Sequence, residues 1–298
     1  MIPKIIHLCW FSNDPFPVEI KVCLDTWKRI LPDFQVKHWT YQDAKAIGCR
    51  FINEALEARK WAFAADAVRF YAIYNEGGIY MDSDIFILKR FDHLIPEHGF
   101  VTFQENEMTQ LQAAFFMGEK GNAFCKEVFE YYNSNPFLNP DGTYNTIISP
   151  ITMYDVAKRR GYLPEDKEQH LPDDIIIYPA HYVIPRHKYP TTPDTFAEHR
   201  IFGSWRKRKP GRKIELFIKH AIATVRYAVF RRNTPKNVLH VCCQLKILID
   251  SFRALNDSVP VVFFEYLFIG AHVFFGGSSF MMDMVFYSFE FYETLFYT

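Results

Sequence analysis

The sequence predicts an α/β protein with a helical extension at its C-terminus. Apolar segments of strand length alternate with segments of helix length up to about residue 205, which is typical of strands and helices packed in layers. Of the 298 residues, 49% are hydrophobic and 17% are aromatic. This composition supports a large core and indicates a globular chain.

The overall charge and the cysteines narrow the class of protein. The 34 basic and 34 acidic residues cancel, so the chain lacks the excess positive charge of a general nucleic-acid binder. The six cysteines form no C-x-x-C pair, which argues against a disulfide framework or a zinc site and favours a cytosolic enzyme. No signal peptide precedes the first strand, so we expect no amino-terminal membrane anchor.

The first element is a buried strand within residues 2–11, an apolar run that the turn residues 12–15 end. Trp10 lies at its carboxyl end, where open α/β sheets bind their ligands. Trp10 is therefore a candidate ligand-binding residue, although its type is equally consistent with a place in the core.

Helices and a second strand follow. Residues 17–31 carry apolar side chains at helical spacing and predict an amphipathic helix that Pro32 ends. Residues 34–39 alternate between apolar and polar and predict a strand. Residues 42–58 predict helix in one or two pieces, divided near Gly48.

The next helix, residues 61–76, is apolar on most sides yet contains two charged residues, Asp66 and Arg69. At a spacing of three they share a helix face, so one interpretation is an intrahelical ion pair. The other is that both face a polar cavity, and we favour it because an uncompensated buried charge is very costly.

Two aspartates follow this helix closely. Gly77 and Gly78 predict a left-handed helix cap, and a short strand then leads to Asp82 and Asp84. On an extended chain, side chains two positions apart lie on one face, so both carboxylates can converge on a hard cation and its bound diphosphate. Aspartyl-phosphate phosphatases also use a D-x-D pair, but near the first strand and before a small or hydroxyl residue, whereas here Ile85 follows.

The remaining pattern up to about residue 205 continues the alternation. It predicts a strand, a polar loop and a second strand in residues 100–118, helices in residues 122–132 and 151–160, and a strand in residues 175–178.

Three motifs carry a resemblance to a known family. They are IPKIIHLCW in residues 2–10, AADAVRFYAIYNEGGIYMDSD in residues 64–84, and HRIFGSW in residues 199–205. In these motifs the chain resembles the family 32 type of D-x-D glycosyltransferase, which includes the initiating α-1,6-mannosyltransferase of yeast outer chains and many bacterial capsular-polysaccharide transferases. It is more distantly similar to the glucosylating domain of large clostridial toxins.

The resemblance implies a GT-A type, Rossmann-like domain that binds a nucleotide-diphospho-sugar. It implies that Trp10 stacks on the nucleotide base, as aromatic rings do well. It also implies that Asp66 and Arg69 hold hydroxyl groups of the ribose or of the donor sugar. The family is similar to retaining enzymes, and the sequence identifies no nucleophile.

The resemblance further implies a divalent cation, Mn²⁺ or Mg²⁺, at the two aspartates that it assigns to catalysis. Asp84 is the direct ligand in this interpretation, and Asp82 contacts the ribose or a metal-bound water. Ser204 and Trp205, on a closing loop, contact the diphosphate, and His199 is a further metal ligand.

The composition changes after residue 205. Residues 206–234 combine basic and apolar side chains in a pattern that predicts an amphipathic helix on an anionic membrane surface, the alternative being a helix packed on the domain. Residues 235–298 predict an aromatic-rich helical tail of unknown role. We therefore divide the chain into residues 1–205, 206–234 and 235–298.

Together these features predict a metal-dependent retaining glycosyltransferase. We expect a nucleotide-diphospho-sugar donor and a glycan or lipid-linked glycan acceptor, in the synthesis of a bacterial capsule or surface polysaccharide. We also expect a cytoplasmic protein that is peripheral at the inner face of the membrane and binds no nucleic acid. Two alternatives remain open, a glycosyltransferase that modifies a protein and a non-catalytic protein that binds nucleotide sugars.

Overall fold

A seven-stranded mixed sheet lies at the centre of the fold. Its strands are β1 (Ile5–Cys9), β2 (Gln35–Trp39), β3 (Gly78–Met81), β5 (Phe100–Phe103), β6 (Phe115–Gly118), β7 (Gln169–Leu171) and β8 (Ile175–Tyr178). Their order across the sheet is β2-β1-β3-β6-β5-β8-β7. Strand β1 is parallel to both of its neighbours, whereas β6 is antiparallel to β3 and to β5. The predicted α/β class is confirmed.

The computed structural model describes residues 2–105, 110–185 and 191–200. The two predicted C-terminal segments, residues 206–234 and 235–298, lie outside the described residues, and so does the predicted helical extension.

Six α-helices lie in the described residues. They are α1 (Val18–Ile30), α2 (Tyr41–Ala46), α3 (Arg50–Glu57), α4 (Trp61–Glu76), α5 (Ala123–Ser134) and α6 (Ser149–Arg159). The break between α2 and α3 contains Gly48 at φ +75°, a conformation that favours glycine. Every helix that the sequence predicts up to residue 160 is present, with ends that differ by a few residues.

The sheet separates two hydrophobic cores, as alternation along β3 shows. Ile79 and Met81 point to one face, where they pack in the same cluster as Trp27 of α1. Tyr80 points to the other face and packs in the cluster of Phe70 from α4. Helix α4 packs between α3 and α5 on that face, which explains why its sequence is apolar on most sides.

A second, three-stranded sheet was not predicted. Its strands are β4 (Ile85–Ile87), β9 (Val183–Pro185) and β10 (Ala197–His199), in the order β4-β10-β9. Helix α1 completes the hydrogen bonds of β4, because Trp27 Nε1 donates to the Ile85 carbonyl at 2.7 Å and Thr26 Oγ1 accepts from the Ile87 amide at 3.0 Å. Three-residue strands carry too little periodicity to be recognised in a sequence.

The predicted left-handed cap at the end of α4 needs correction. Gly77 has φ +70° and ψ 177°, which is not the left-handed helical conformation, although its amide still donates to the Ile73 carbonyl at 2.8 Å. This region of backbone space is open almost only to glycine. The chain therefore leaves the helix extended and enters β3 directly.

Among the helices of the described ranges, none has both the length and the apolar character needed to cross a membrane.

Candidate functional site

A cleft of about 910 Å³ opens at the carboxyl ends of β1 and β3. Its walls include the predicted site residues Trp10, Asp66, Arg69, Asp82, Asp84 and His199. These residues come from three distant parts of the chain, and the parallel pairing of β1 with β3 brings the first two parts to one edge of the sheet.

Asp82 and Asp84 do not lie on a strand, which corrects the prediction of an extended pair. Strand β3 ends at Met81, and the Ile85 amide donates to the Asp82 carbonyl at 3.0 Å, so the two aspartates occupy a tight turn between β3 and β4. The Asp82 amide donates to the Ala114 carbonyl at 2.8 Å and anchors the turn to the neighbouring segment. The turn, rather than strand alternation, makes both side chains face the cleft.

The small sheet brings His199 to this turn. Strand β10 is antiparallel to β4, with His199 opposite Ile85, and the His199 Nε2 atom lies 3.4 Å from Asp84 Oδ1. Burial opposes the charged imidazole, but Asp84, together with Asp82 and Glu105, outweighs burial and raises the pKa of His199. The pairing therefore fixes the ring against the second aspartate.

The side chains of Asp82, Asp84 and His199 can each offer one ligand atom, and these atoms all lie within 4.8 Å of one another. Carboxylate oxygen is the preferred donor for Mg²⁺, and a combination of carboxylate with one imidazole suits Mn²⁺ as well. The donor set of this cluster thus fits a divalent cation.

Asp66 and Arg69 are both buried and both part of the cleft wall, so each of the two interpretations of this pair holds in part. Arg69 Nη2 lies 2.9 Å from Asp66 Oδ1 and 3.5 Å from Asp82 Oδ1. Arg69 also donates to the carbonyls of Ala65 and Ala113. Burial opposes its charge, but Asp82 and Asp66 outweigh burial and raise the pKa of the guanidinium. One arginine therefore connects the helix to the aspartate turn.

Asp66 has a second partner on another helix. Ser149, at the start of α6, donates its hydroxyl to Asp66 Oδ1 at 2.6 Å, and the Ser149 amide lies 3.4 Å from Asp66 Oδ2. Burial raises the pKa of Asp66, and Arg69 and Ser149 offset part of that rise. The carboxylate is held on two sides while it faces the cleft.

Trp10 lies at the mouth of the cleft and is partly exposed. Its indole Nε1 donates to the Asp14 carbonyl at 3.0 Å, and its ring lies 4.9 Å from the Phe16 ring, centroid to centroid. A partly exposed ring that is held by a hydrogen bond and an aromatic neighbour can offer a surface for stacking. The alternative of a fully buried core residue is therefore wrong.

Comparison with known proteins agrees with the resemblance seen in the sequence. Residues 17–101 match the model of a glycosyltransferase sugar-binding region containing a DXD motif. In this region the chain is similar to glycosyltransferases of the DXD type. Its mixed α/β sheet, with the aspartates directly after β3, is the GT-A type that the sequence predicts.

One relative and two solved structures illustrate the similarity of this chain to known glycosyltransferases. An uncharacterized glycosyltransferase, L373, of Acanthamoeba polyphaga mimivirus is 24% identical over 217 residues, which cover 69% of this chain and 84% of the viral protein. The PaToxG glycosyltransferase has 19% identity and a TM-score of 0.44, over 53% of this chain and 69% of its own. The galactosyltransferase LgtC, in complex with donor and acceptor sugar analogues, has 10% identity and a TM-score of 0.41, over 80% of this chain and 99% of its own.

Two of the predicted site residues, Ser204 and Trp205, lie outside the described residues. Two residues that contact the site, Tyr80 and Ser149, were not predicted. Tyr80 donates its hydroxyl to Asp82 Oδ1 at 2.6 Å, and the Arg69 guanidinium lies 4.7 Å from the centroid of its ring. A signal was available for Tyr80, because it precedes Asp82 by two positions in the motif. Ser149 offers only a Ser-Pro pair before a helix, which indicates nothing about Asp66.

The cleft also contains a thiol, that of Cys9 at the end of β1. Burial raises the pKa of this thiol to about 12. Since the thiolate is the reactive form, Cys9 is poorly suited to be a nucleophile.

Proposed function

We propose that this protein is a metal-dependent retaining hexosyltransferase that moves a sugar from a nucleotide-diphospho-sugar to a glycan acceptor. The observation that carries the proposal is the convergence of the Asp82, Asp84 and His199 ligand atoms in the cleft that also contains Asp66, Arg69 and Trp10. A cation site, buried polar groups for hydroxyls and an aromatic ring are the parts that binding a nucleotide-diphospho-sugar requires.

In this proposal Asp82, Asp84 and His199 hold Mn²⁺ or Mg²⁺. When bound, the cation supplies positive charge to the diphosphate that departs as the sugar is transferred. Asp84 is its direct ligand, and Tyr80 and Arg69 orient Asp82. The retaining outcome rests on the family resemblance.

Asp66 and Arg69 bind hydroxyl groups of the ribose or the donor sugar, and Trp10 stacks on the base. Asp66 suits this role because Ser149 and Arg69 fix its position while its remaining acceptor capacity faces the cleft. Ser204 and Trp205 complete the proposal as contacts to the diphosphate.

The acceptor and the cellular place are proposals from the sequence. We propose a lipid-linked glycan of a bacterial capsule or surface polysaccharide, since the basic amphipathic segment, residues 206–234, suits an anionic membrane surface. The protein is then cytoplasmic, peripheral at the inner face of the membrane and without nucleic-acid partners. The three-part division into residues 1–205, 206–234 and 235–298 belongs to the same proposal.

The test uses Asp84→Ala and a chelator. With Mn²⁺ and a panel of UDP-glucose, UDP-galactose, UDP-N-acetylglucosamine and GDP-mannose, we expect hydrolysis or transfer by the unaltered protein. We expect none from Asp84→Ala or with EDTA present, because the direct ligand or the cation is missing. The exposed Asp155→Ala on α6 is the matched control and should retain full activity.

Three outcomes would change the proposal. Full activity of a correctly folded Asp84→Ala protein, or full activity with EDTA, would exclude metal dependence. Labelled sugar on protein after incubation with lysate would make the acceptor a protein. Donor binding by calorimetry without turnover over a full acceptor panel would indicate a non-catalytic binding protein.

A further inference from the structure

Gln112 is a buried residue that faces the cleft. It lies two positions before the Ala114 carbonyl that anchors the aspartate turn, its side chain and backbone are together only 2% exposed, and it forms part of the cleft wall. Its Oε1 atom accepts a hydrogen bond from the Ala114 amide at 3.1 Å. This bond fixes which way the carboxamide points, because the atom bonded to an amide N–H must be the oxygen.

The carboxamide nitrogen of Gln112 has no hydrogen-bond partner among residues 2–105, 110–185 and 191–200. It is also not among the partnerless polar side-chain atoms that are sealed from solvent in these ranges, such as Asn53 Oδ1 and Gln104 Oε1. The Gln112 nitrogen therefore keeps some exposed surface. Because the residue is 98% buried and lines the cleft, that surface faces the cleft. Gln112 therefore presents two N–H donors and no acceptor to a ligand.

The neighbours of Gln112 place these donors next to the groups already described. The carbonyl of Ala113 accepts from Arg69 Nη1 at 2.7 Å, and the carbonyl of Ala114 accepts from the Asp82 amide at 2.8 Å. The segment that carries Gln112 is thus bonded both to the arginine that holds Asp66 and to the aspartate turn.

We propose that Gln112 is a specificity-determining residue that donates a hydrogen bond to an oxygen of the transferred sugar. The inference rests on the proposed function and deepens it. Asp66 offers only acceptors and Gln112 offers only donors, so the pocket suits a sugar with free hydroxyl groups at the positions that face them. A deoxy sugar leaves the Gln112 carboxamide without its partner. A sugar with an ammonium group at this position places a hydrogen-bond donor against the N–H donors of Gln112.

The test separates the sugar from the rest of the donor. Affinities of the unaltered protein, Gln112→Ala and Gln112→Glu are measured by calorimetry with Mn²⁺, for the nucleotide sugar found active in the panel and for UDP or GDP alone. We expect Gln112→Ala to weaken nucleotide-sugar binding by about threefold to tenfold, the usual effect of one lost hydrogen bond, with the nucleoside diphosphate unaffected. Gln112→Glu keeps the volume and the acceptor for the Ala114 amide, and it should weaken nucleotide-sugar binding more than nucleoside-diphosphate binding.

Monodeoxy analogues of the active nucleotide sugar provide the second readout. At one ring position, deletion of the hydroxyl should lower kcat/KM of the unaltered protein by about tenfold and change Gln112→Ala little, because the partner is already absent. Gln42→Ala, on the exposed surface of α2, is the matched control and should behave as the unaltered protein.

The outcomes distinguish this inference from the proposed function. Equal losses for nucleotide sugar and nucleoside diphosphate would place Gln112 on the diphosphate, and equal deoxy penalties in both proteins would remove it from the sugar; either overturns the inference alone. If the unaltered protein binds no member of the nucleotide-sugar panel with Mn²⁺, both fail.

Discussion

At the residue scale, the Asp66 carboxylate shows how the fold keeps a charge inside a helix layer. Asp66 is 7% exposed and Arg69 is 5% exposed, so neither charge is solvated by bulk water. Their 2.9 Å contact and the Ser149 hydroxyl replace that solvation. Removing one partner of a buried charged group lowers the free energy of unfolding by more than the intact interaction contributes as a net gain. The reason is that the remaining group is left buried without its partner.

Ser149→Ala tests this account of Asp66. The substitution removes the hydroxyl that donates to Asp66 Oδ1, so we expect the free energy of unfolding in urea to fall by about 2 kcal/mol, as for other bonds to charged groups. The exposed Ser134→Ala at the end of α5 should change it by less than about 0.5 kcal/mol. Equal unfolding free energies for the two variants would show that Arg69 alone satisfies the carboxylate.

The sequence indicated charged residues that line the cleft, but it did not indicate their neutral partners. Charged side chains in an apolar helix, and two aspartates after an apolar strand, stand out in a sequence because they are costly to bury. Tyr80, Ser149 and Gln112 do not stand out, since hydroxyls and amides are common in cores when bonded. Their roles depend on contacts that only the fold brings together.

At the element scale, Gly77 connects α4 to the sheet. Its carbonyl lies 2.8 Å from Nε2 of the buried His7 on β1, and His7 Nδ1 accepts from Trp39 Nε1 on β2 at 3.0 Å. Since Nδ1 is the acceptor, Nε2 carries the proton and donates to Gly77, which defines a neutral tautomer. Burial lowers the pKa of His7 and favours that neutral form.

Gly77→Ala should destabilise the fold strongly. A Cβ atom at this position meets the Lys120 backbone nitrogen at 2.7 Å, and φ is +70°. We expect a loss of about 3 kcal/mol in the free energy of unfolding, measured in urea, from backbone strain together with the clash. In the matched control, Gly142→Ala, φ is +81° but no atom lies within 4 Å, so strain alone should cost about 1 kcal/mol.

Equal losses in the two alanine variants would mean that the clash at Gly77 relaxes without cost.

The sequence predicted long elements correctly and the connections between them less well. Helix α4 and strand β1 have enough apolar residues for their period to be recognised. The Asp82–Asp84 spacing fits a strand and a turn equally, because two positions can face one way in either, and the hydrogen bond from Ile85 decides for the turn. The three-residue β10 could not be predicted, yet it places His199 in the cleft.

At the scale of the whole molecule, a cluster of charged side chains joins segments at the end of the sheet opposite the cleft. Lys4, just before β1, lies 2.7 Å from Asp33 and 2.8 Å from Asp92, and Arg90 contacts the same two aspartates at 2.8 Å. The cluster joins three segments that are distant in the chain. The Arg90 and Lys4 side chains lower the pKa of Asp92 to about 2.

This cluster predicts a loss of stability in acid. The folded pKa of Asp92 is below its ordinary value of 3.8, so its contribution is complete above that value and is lost as the pH falls toward about 2. Asp92→Asn lacks this contribution. The difference in urea midpoint between the unaltered protein and Asp92→Asn should therefore shrink between about pH 5 and about pH 2.

Because the cluster is exposed, the difference should also decrease at high salt. A midpoint difference that stays constant over this pH range would show that Asp92 is not held by its cations.

Strand β4 leaves little backbone for another molecule to use. One of its edges pairs with β10, and on the other the side chains of Thr26 and Trp27 satisfy the Ile87 amide and the Ile85 carbonyl. Open strand edges are the templates on which proteins add strands from a second copy and aggregate. Helix α1 therefore prevents self-association through this strand edge, directly beside the aspartate turn. We expect loss of the Trp27 indole to lower the solubility of the protein at high concentration.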